Sequence, residues 1–265
     1  MRYDFSSKKR IIIKVGSSLI VDDYDLRKNW FNYFAHDIAE LINNNHHIII
    51  VSSGAIALGI KQISTENNII NKKNLNLVQK QAMSAIGQIF LMNNYHHIFQ
   101  NHSLNVAQIL LTAEDCNVNH RRENFKNTIE ELLSRNIIPI INENDSIAVD
   151  EIKIGDNDTL AAHIAKITDA NLMILFSDID GLYEENPKLN QSAKFIDKVN
   201  QVDEKILKMA SDSISNIGTG GMITKIKSAK MLQCTGCDTI ITSGVEDGCL
   251  SSLIANQKKF TLFTS

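Results

Sequence analysis

Short, almost wholly apolar runs rich in isoleucine, valine and leucine recur along this chain, separated by longer stretches with helical spacing. Residues 11–15, 47–52, 106–111, 137–141, 172–176 and 238–241 each read as a strand, and 259–263 as a last one. A strand with one face in water alternates apolar and polar residues. A run that is apolar throughout needs cover on both faces, which is the condition of a parallel sheet. Between the runs, 26–43, 75–99, 124–136, 158–170 and 221–232 carry apolar residues at helical spacing. Strand and helix alternating in this way predict an α/β fold: a three-layer, doubly wound sandwich with a mainly parallel central β-sheet between helix layers. At 265 residues the chain can form one large domain or two small ones.

Local signals refine the reading. Asp156 and Asn157 offer N-caps for the helix at 158–170. Gly236 is a C-cap signal for the helix at 221–232. Glu130 and Glu131 stand N-terminal to Arg135, as helix-supporting pairs do. Residues 146–155 break the rhythm: Ile147, Val149, Ile152 and Ile154 suggest a hairpin around Asp150-Glu151, a candidate substrate lid. The helix at 75–99 suits either the core or a dimer surface.

Composition removes several classes. An apolar content of 43% with 22% charged residues and only two prolines is that of a globular protein without long linkers. A net charge of −3 gives no basic footprint for nucleic acid. No stretch approaches the roughly 18 apolar residues of a membrane span, and residues 1–5 do not open a leader, so the expected compartment is the cytoplasm. Cys116, Cys234, Cys237 and Cys249 do not make a disulfide framework in a chain of this length. The Cys234-x-x-Cys237 pair has no second ligand pair, so reduced, structural thiols are expected. None of the eight histidines has metal-ligand spacing with a carboxylate, and no metal ligand is assigned to the protein. There is no Walker A loop, no G-x-G-x-x-G fingerprint and no G-x-S-x-G elbow.

Five segments carry chemistry. Lys14-Val15-Gly16-Ser17-Ser18 follows the first strand, where open α/β sheets gather ligands. Its glycine would let backbone amides approach a phosphate and its lysine would neutralise charge; a solvated lysine at a strand end is the bland alternative. Ser52-Ser53-Gly54-Ala55-Ile56-Ala57 repeats the pattern after the second strand, as an anion-facing turn or simply a serine-capped one. The third segment runs Asn142-Glu143-Asn144-Asp145-Ser146, then Lys153-Ile154-Gly155-Asp156-Asn157-Asp158. Asn and Asp are ordinary turn and cap residues, but their density here suits an ammonium group, a metal-bound nucleotide or neighbouring lysines. The fourth is Ser177-Asp178-Ile179-Asp180-Gly181-Leu182-Tyr183, after the fifth strand. The fifth is Gly218-Thr219-Gly220-Gly221-Met222-Ile223-Thr224-Lys225, a flexible loop ending in a hydroxyl and a lysine at a helix start. A carboxylate-rich segment paired with a glycine-rich, lysine-bearing loop points to phosphoryl transfer.

In this order, and with Lys80-Gln81-Ala82, Gly87-Gln88 and the segment 108–112, these motifs resemble the amino-acid kinase family over roughly residues 9–263. Within it they are similar to the branch that phosphorylates L-glutamate. The resemblance implies ATP-dependent phosphorylation of the glutamate side-chain carboxylate to L-glutamyl 5-phosphate, the first step of proline biosynthesis. It implies that Ser53, Gly54, Asp145 and Asn157 bind glutamate, with Lys153 and Asp156 lining the same site. Ser177, Asp178 and Thr219, Gly220, Gly221, Met222, Ile223, Thr224 and Lys225 would bind ATP. Lys14 and Lys225 would flank the transferring phosphoryl group, held by Asp158. Mg²⁺ is expected mostly on the ATP phosphates. Residues 1–170 would form an acceptor-binding lobe and 171–265 a nucleotide-binding lobe of one kinase domain. The resemblance also implies a homo-oligomer, inhibition by proline, and functional coupling to glutamate-5-semialdehyde dehydrogenase, with no nucleic-acid or membrane partner. Many such kinases carry a further RNA-binding-type domain, which this sequence is expected to lack. The rival readings are a sibling kinase acting on N-acetylglutamate, aspartate, carbamate or UMP, a non-catalytic amino-acid sensor, and an oxidoreductase without its glycine fingerprint.

Overall fold

The isoleucine-rich run Arg10–Val15 is the strand β1 near the centre of an eight-stranded sheet. The computed structural model describes residues 2–22, 26–65, 70–147, 157–187, 189–190, 192–211 and 221–265. After β1 come α1 (Ser17–Ile20), α2 (Lys28–Asn43), β2 (His47–Ser52), α3 (Ala55–Ile63), α4 (Leu77–Gln100), β3 (Asn105–Leu111), α5 (Ala113–Asn117), α6 (Asn119–Ser134) and β4 (Ile137–Glu143). They are followed by α7 (Asn157–Ile167), β5 (Leu172–Ser177), β6 (Leu182–Tyr183), β7 (Phe195–Ile196), β8 (Lys198–Val199), α8 (Glu204–Ser211), α9 (Met222–Leu232), β9 (Asp238–Ser243), α10 (Cys249–Ile254) and β10 (Thr261–Phe263).

The sheet runs β3-β4-β2-β1-β5-β9-β10-β8. Every pairing from β3 to β9 is parallel; β10 turns antiparallel to β9. The expected mainly parallel three-layer sandwich is therefore present, and the strand expected at 259–263 is its antiparallel member. Side chains alternate between faces even within apolar runs. Ile11, Ile13 and Val15 join one core with Phe31 of α2 and Tyr95 of α4, while Ile12 joins the other with Leu160 of α7 and Ile226 of α9. The same parity sends Lys14 toward α7 and α9. The sheet also reverses direction at β1, with β2 on one side and β5 on the other. Such a switch point is where open α/β sheets bind ligands.

Helix ends differ from expectation for local reasons. A capping box of Asn76 and Gln79 starts α4 at Leu77. The α7 helix stops at Ile167, because Asp169 takes a left-handed φ of 50° and the Ala170 amide returns to the Ala165 carbonyl. Gly236 is not the cap of α9: the helix ends at Leu232 with Gln233 as C-cap. Arg135 pairs with Glu131 at 2.6 Å, whereas Glu130 turns away to grip Arg10 of β1. The cap residue Asp156 and the hairpin expected at 146–155, from 148 onward, lie outside the described residues. All four cysteines are unbridged. No helix among the described residues is long and apolar enough to cross a membrane.

One contact fixes the helices beside the switch point. A Cβ added to Gly87 of α4 would run into the Ala55 carbonyl oxygen, and one added to Gly59 of α3 into that of Met83. The two backbones touch, so only glycine fits at either position. Gly87→Ala is expected to cost about 3 kcal/mol or more, because overpacking at a rigid backbone contact cannot relax into a side-chain rotamer. Urea unfolding checks this; an unchanged midpoint would show that the helices separate freely.

Candidate active site

Three charged side chains meet under the C-terminal end of β1. Lys14 Nζ lies 2.6 Å from Asp158 Oδ1, and Lys225 Nζ lies 2.9 Å from Asp158 Oδ2. Asp158 is wholly buried and both lysines are 5% exposed. Each comes from a different element: Lys14 from β1 by sheet parity, Asp158 from the first turn of α7, Lys225 from the first turns of α9. Thr224 adds its hydroxyl to Asp158 Oδ2 at 3.2 Å. Burial pushes the Asp158 carboxyl up, but the ammonium groups of Lys14 and Lys225 outweigh it and hold it well below the usual carboxylate range. Asp158 therefore stays ionised and holds the two cations side by side.

Beside the triad sits a network of amides. The Asn157 Nδ2 donates to the Ser52 carbonyl at 2.9 Å, the Ser53 hydroxyl at 2.6 Å and Asn142 Oδ1 at 3.0 Å. Only an NH₂ group can donate to a carbonyl, so the Asn157 amide is oriented with its oxygen away from β2. Gly54 follows with φ 109°, a left-handed conformation that turns the chain from β2 into α3. On the far side Asp145 Oδ2 accepts from Ser84 of α4 at 2.8 Å. A cavity of about 200 Å³ opens there, lined by Ser84, Gln88, Glu143 and Asp145 among others.

The structure thus brings Lys14, Asp158, Thr224 and Lys225 into one cluster and joins Ser53 to Asn157 directly. Asp145 stands apart on the cavity wall. Ser177 ends β5, the strand next to β1, and its hydroxyl is 3.2 Å from Asp178 Oδ1. Gly221 caps α9, Met222 is buried in the core beneath it, and Ile223 packs against that same core. Lys153, Asp156, Thr219 and Gly220 lie outside the described residues. Ser84, Gln88 and Asn142 escaped the sequence reading as site residues. Asn142 and Gln88 stand in segments quoted above without a role of their own, and Ser84 has as its signal the four-residue spacing to Gln88 on one helix. On α2, remote in sequence from these motifs, His36, Asp37 and Glu40 place ligand atoms within 4.8 Å of one another, a spacing the sequence reading passed over.

Residues 9–243 match the model of the amino acid kinase family. The glutamate 5-kinase of Pelagibacter ubique is 46% identical over 256 residues, which are 96% of this chain and 68% of that protein. The glutamate 5-kinase of Alkaliphilus metalliredigens is 40% identical over 259 residues, 97% of this chain and 96% of that one. Among solved structures, carbamate kinase from Giardia lamblia bound to AMP-PNP superposes with a TM-score of 0.65 at 15% identity, covering 98% of this chain and 100% of that one. The UMP kinase from Ureaplasma parvum gives 0.64 at 17% identity, covering 97% and 99%. At such identities these two structures speak for the fold alone.

Asp158→Asn removes the buried carboxylate that both ammonium groups contact. It is expected to cost about 3 to 5 kcal/mol of stability at neutral pH. The pH dependence follows from the depressed carboxyl. Its contribution is complete above the unfolded value, near 4, and fades as pH falls through the lower folded value. Chemical unfolding between pH 7 and pH 2 should show a steeper acid loss in the native protein than in Asp158→Asn; parallel curves would contradict this.

Proposed function

This chain belongs to the amino acid kinase family, and from that premise we propose how its residues divide the work. The chain phosphorylates the side-chain carboxylate of L-glutamate with ATP, giving L-glutamyl 5-phosphate, the first step of proline biosynthesis. The observation that carries the division of labour is the buried Lys14–Asp158–Lys225 triad. Phosphoryl transfer asks for alignment and charge stabilisation rather than for a protein nucleophile. Lys14 and Lys225 supply that stabilisation at the transferring group, and Asp158 sets their separation.

Ser53, Gly54, Asp145 and Asn157 hold glutamate, joined by Lys153 and Asp156. Ser177, Asp178 and residues 219–225 hold ATP, with the amides at the start of α9 facing the phosphates. The first lobe, 1–170, then presents the acceptor and the second, 171–265, the nucleotide, meeting where the sheet reverses. Both oxygens of Asp158 are engaged by cations, so among the described residues the triad offers no carboxylate oxygen to a metal. That fits Mg²⁺ carried on the ATP phosphates, where it would neutralise developing charge. The setting is cytoplasmic, and a glutamate-5-semialdehyde dehydrogenase consumes the labile acyl phosphate. Val78 and Ile89 on α4, 70% and 63% exposed, mark a face for a homo-oligomer. Proline acts as feedback inhibitor; titrating it into the assay up to millimolar levels without loss of rate would remove that part.

The direct test traps the product of purified protein, ATP, Mg²⁺ and L-glutamate with hydroxylamine. Glutamyl hydroxamate is the expected result; turnover with another acid and none with glutamate would keep the fold and move the substrate. Lys14→Ala should lower kcat by about 100-fold or more while the KM for glutamate stays within about threefold, as for a donor that acts in the transition state. An unchanged kcat would remove Lys14 from the transfer step.

A further inference from the structure

The amide chain beside the triad does not end at Asn142. Asn142 Oδ1 accepts from the backbone N–H of Glu143 at 2.9 Å, which fixes that atom as the oxygen. The Asn142 Nδ2 therefore donates, at 2.9 Å, to Gln88 of α4, and the receiving atom must be Gln88 Oε1. The orientation of Gln88 is thus set by a backbone group two bonds away in the network. Its Nε2 is turned from Asn142 and has no acceptor among the described residues. Gln88 is 8% exposed and lines the cavity of about 200 Å³. An NH₂ group that lines a cavity and has no protein acceptor is a donor left for a ligand.

The rest of the lining says which acceptor. Asp145 and Glu143 contribute carboxylates, and among the described residues no lysine, arginine or histidine lines the cavity. Ser84, one helical turn before Gln88, donates to Asp145 Oδ2 and so ties one oxygen of the carboxylate that lines the cavity. A carboxylate wall suits an ammonium group. An anionic group in the same cavity must instead be met by neutral N–H donors. The volume is several times the roughly 30 Å³ of one water, enough for an ammonium–carboxylate head group.

We propose that Gln88 Nε2 binds the α-carboxylate of the acceptor amino acid, with Asp145, positioned by Ser84, taking the α-ammonium. This rests on the glutamate kinase reading above and gives its specificity a source: the site recognises a free amino-acid head group. Gln88 is then a specificity-determining residue, and Ser84 a positioning residue.

Gln88→Glu discriminates binding from mere support. It retains an oxygen to receive the Asn142 N–H but replaces the donor with a second acceptor. If Gln88 only props Asn142, the KM for glutamate hardly moves. If it binds the carboxylate, that KM rises about 10- to 100-fold with kcat within about threefold. The penalty must vanish for 4-aminobutanoate, which lacks the α-carboxylate, tested as substrate or competitive inhibitor. Gln88→Met, similar in volume and uncharged, separates donor loss from repulsion and should show the same acid-dependent penalty. An unchanged KM for ATP certifies the fold of either variant. A KM for glutamate within twofold of the native value, or an equal penalty with both acids, overturns the proposal. Absence of glutamyl hydroxamate from the native protein would instead overturn the reading it rests on.

Discussion

The buried Lys14–Asp158–Lys225 triad is the constraint on which the rest of the architecture turns. Its three members come from a central strand and two helices of one layer, and no two can move apart without exposing a charge to the low-dielectric core. Such a group is a poor source of net stability, because removing two ammonium ions and a carboxylate from water is expensive. It is a strict source of register. β1 must keep even-numbered residues toward α7 and α9, and α7 must begin where its first turn meets them both.

On the acceptor side the same logic is carried out with neutral groups. From Ser53 through Asn157 and Asn142 to Gln88, each amide is oriented by the next, and the ends of the chain are pinned by the Ser52 carbonyl and the Glu143 N–H. The touching backbones of α3 and α4 at Gly59 and Gly87 hold the two helices that bracket this network. Buried polar chains of this kind are stiff because an altered rotamer at one link leaves a donor or acceptor unsatisfied at the next. The candidate site is therefore held on both sides: by charge at the triad, by hydrogen-bond direction along the amide chain.

The sequence disclosed much of this because of where the apolar runs lie. Strands covered on both faces must be apolar throughout, so β1, β2, β4 and β5 stand out as plain text, and the motifs that follow them mark the site. Lys14, Asp158 and Lys225 were legible for the same reason: each lies near the end of a strongly patterned strand or in the first turns of a helix. The short elements α5, α8, α10 and β6 to β8 were not, since two to eight residues give periodicity too little room. Helix ends turned on single conformations, such as the left-handed Asp169, that composition does not announce. Glu130 illustrates the same limit. Its helix neighbours offered Arg135 as partner, yet Arg10, 120 residues away, holds it. Gln88 was visible only as part of the motif Gly87-Gln88, because a glutamine inside an apolar helix shows no role until the fold turns it inward.

The state of Asp158 also bears on what the site can phosphorylate. A hydroxyl acceptor has to lose its proton as it attacks, and a carboxylate beside the transfer centre is the usual recipient. Asp158 is unsuited to that role. Its oxygens face Lys14 and Lys225, and their charge holds its pKa far below that of any useful base. A carboxylate acceptor arrives already ionised at neutral pH and asks for no proton removal. What it does ask is that its own negative charge be brought against that of a phosphate. On the proposed assignment, two lysines clamped by one carboxylate, with amide donors at the far end of the substrate, would answer that requirement. Acid–base chemistry is absent from the demand, and the one buried acid of the triad is committed to holding cations.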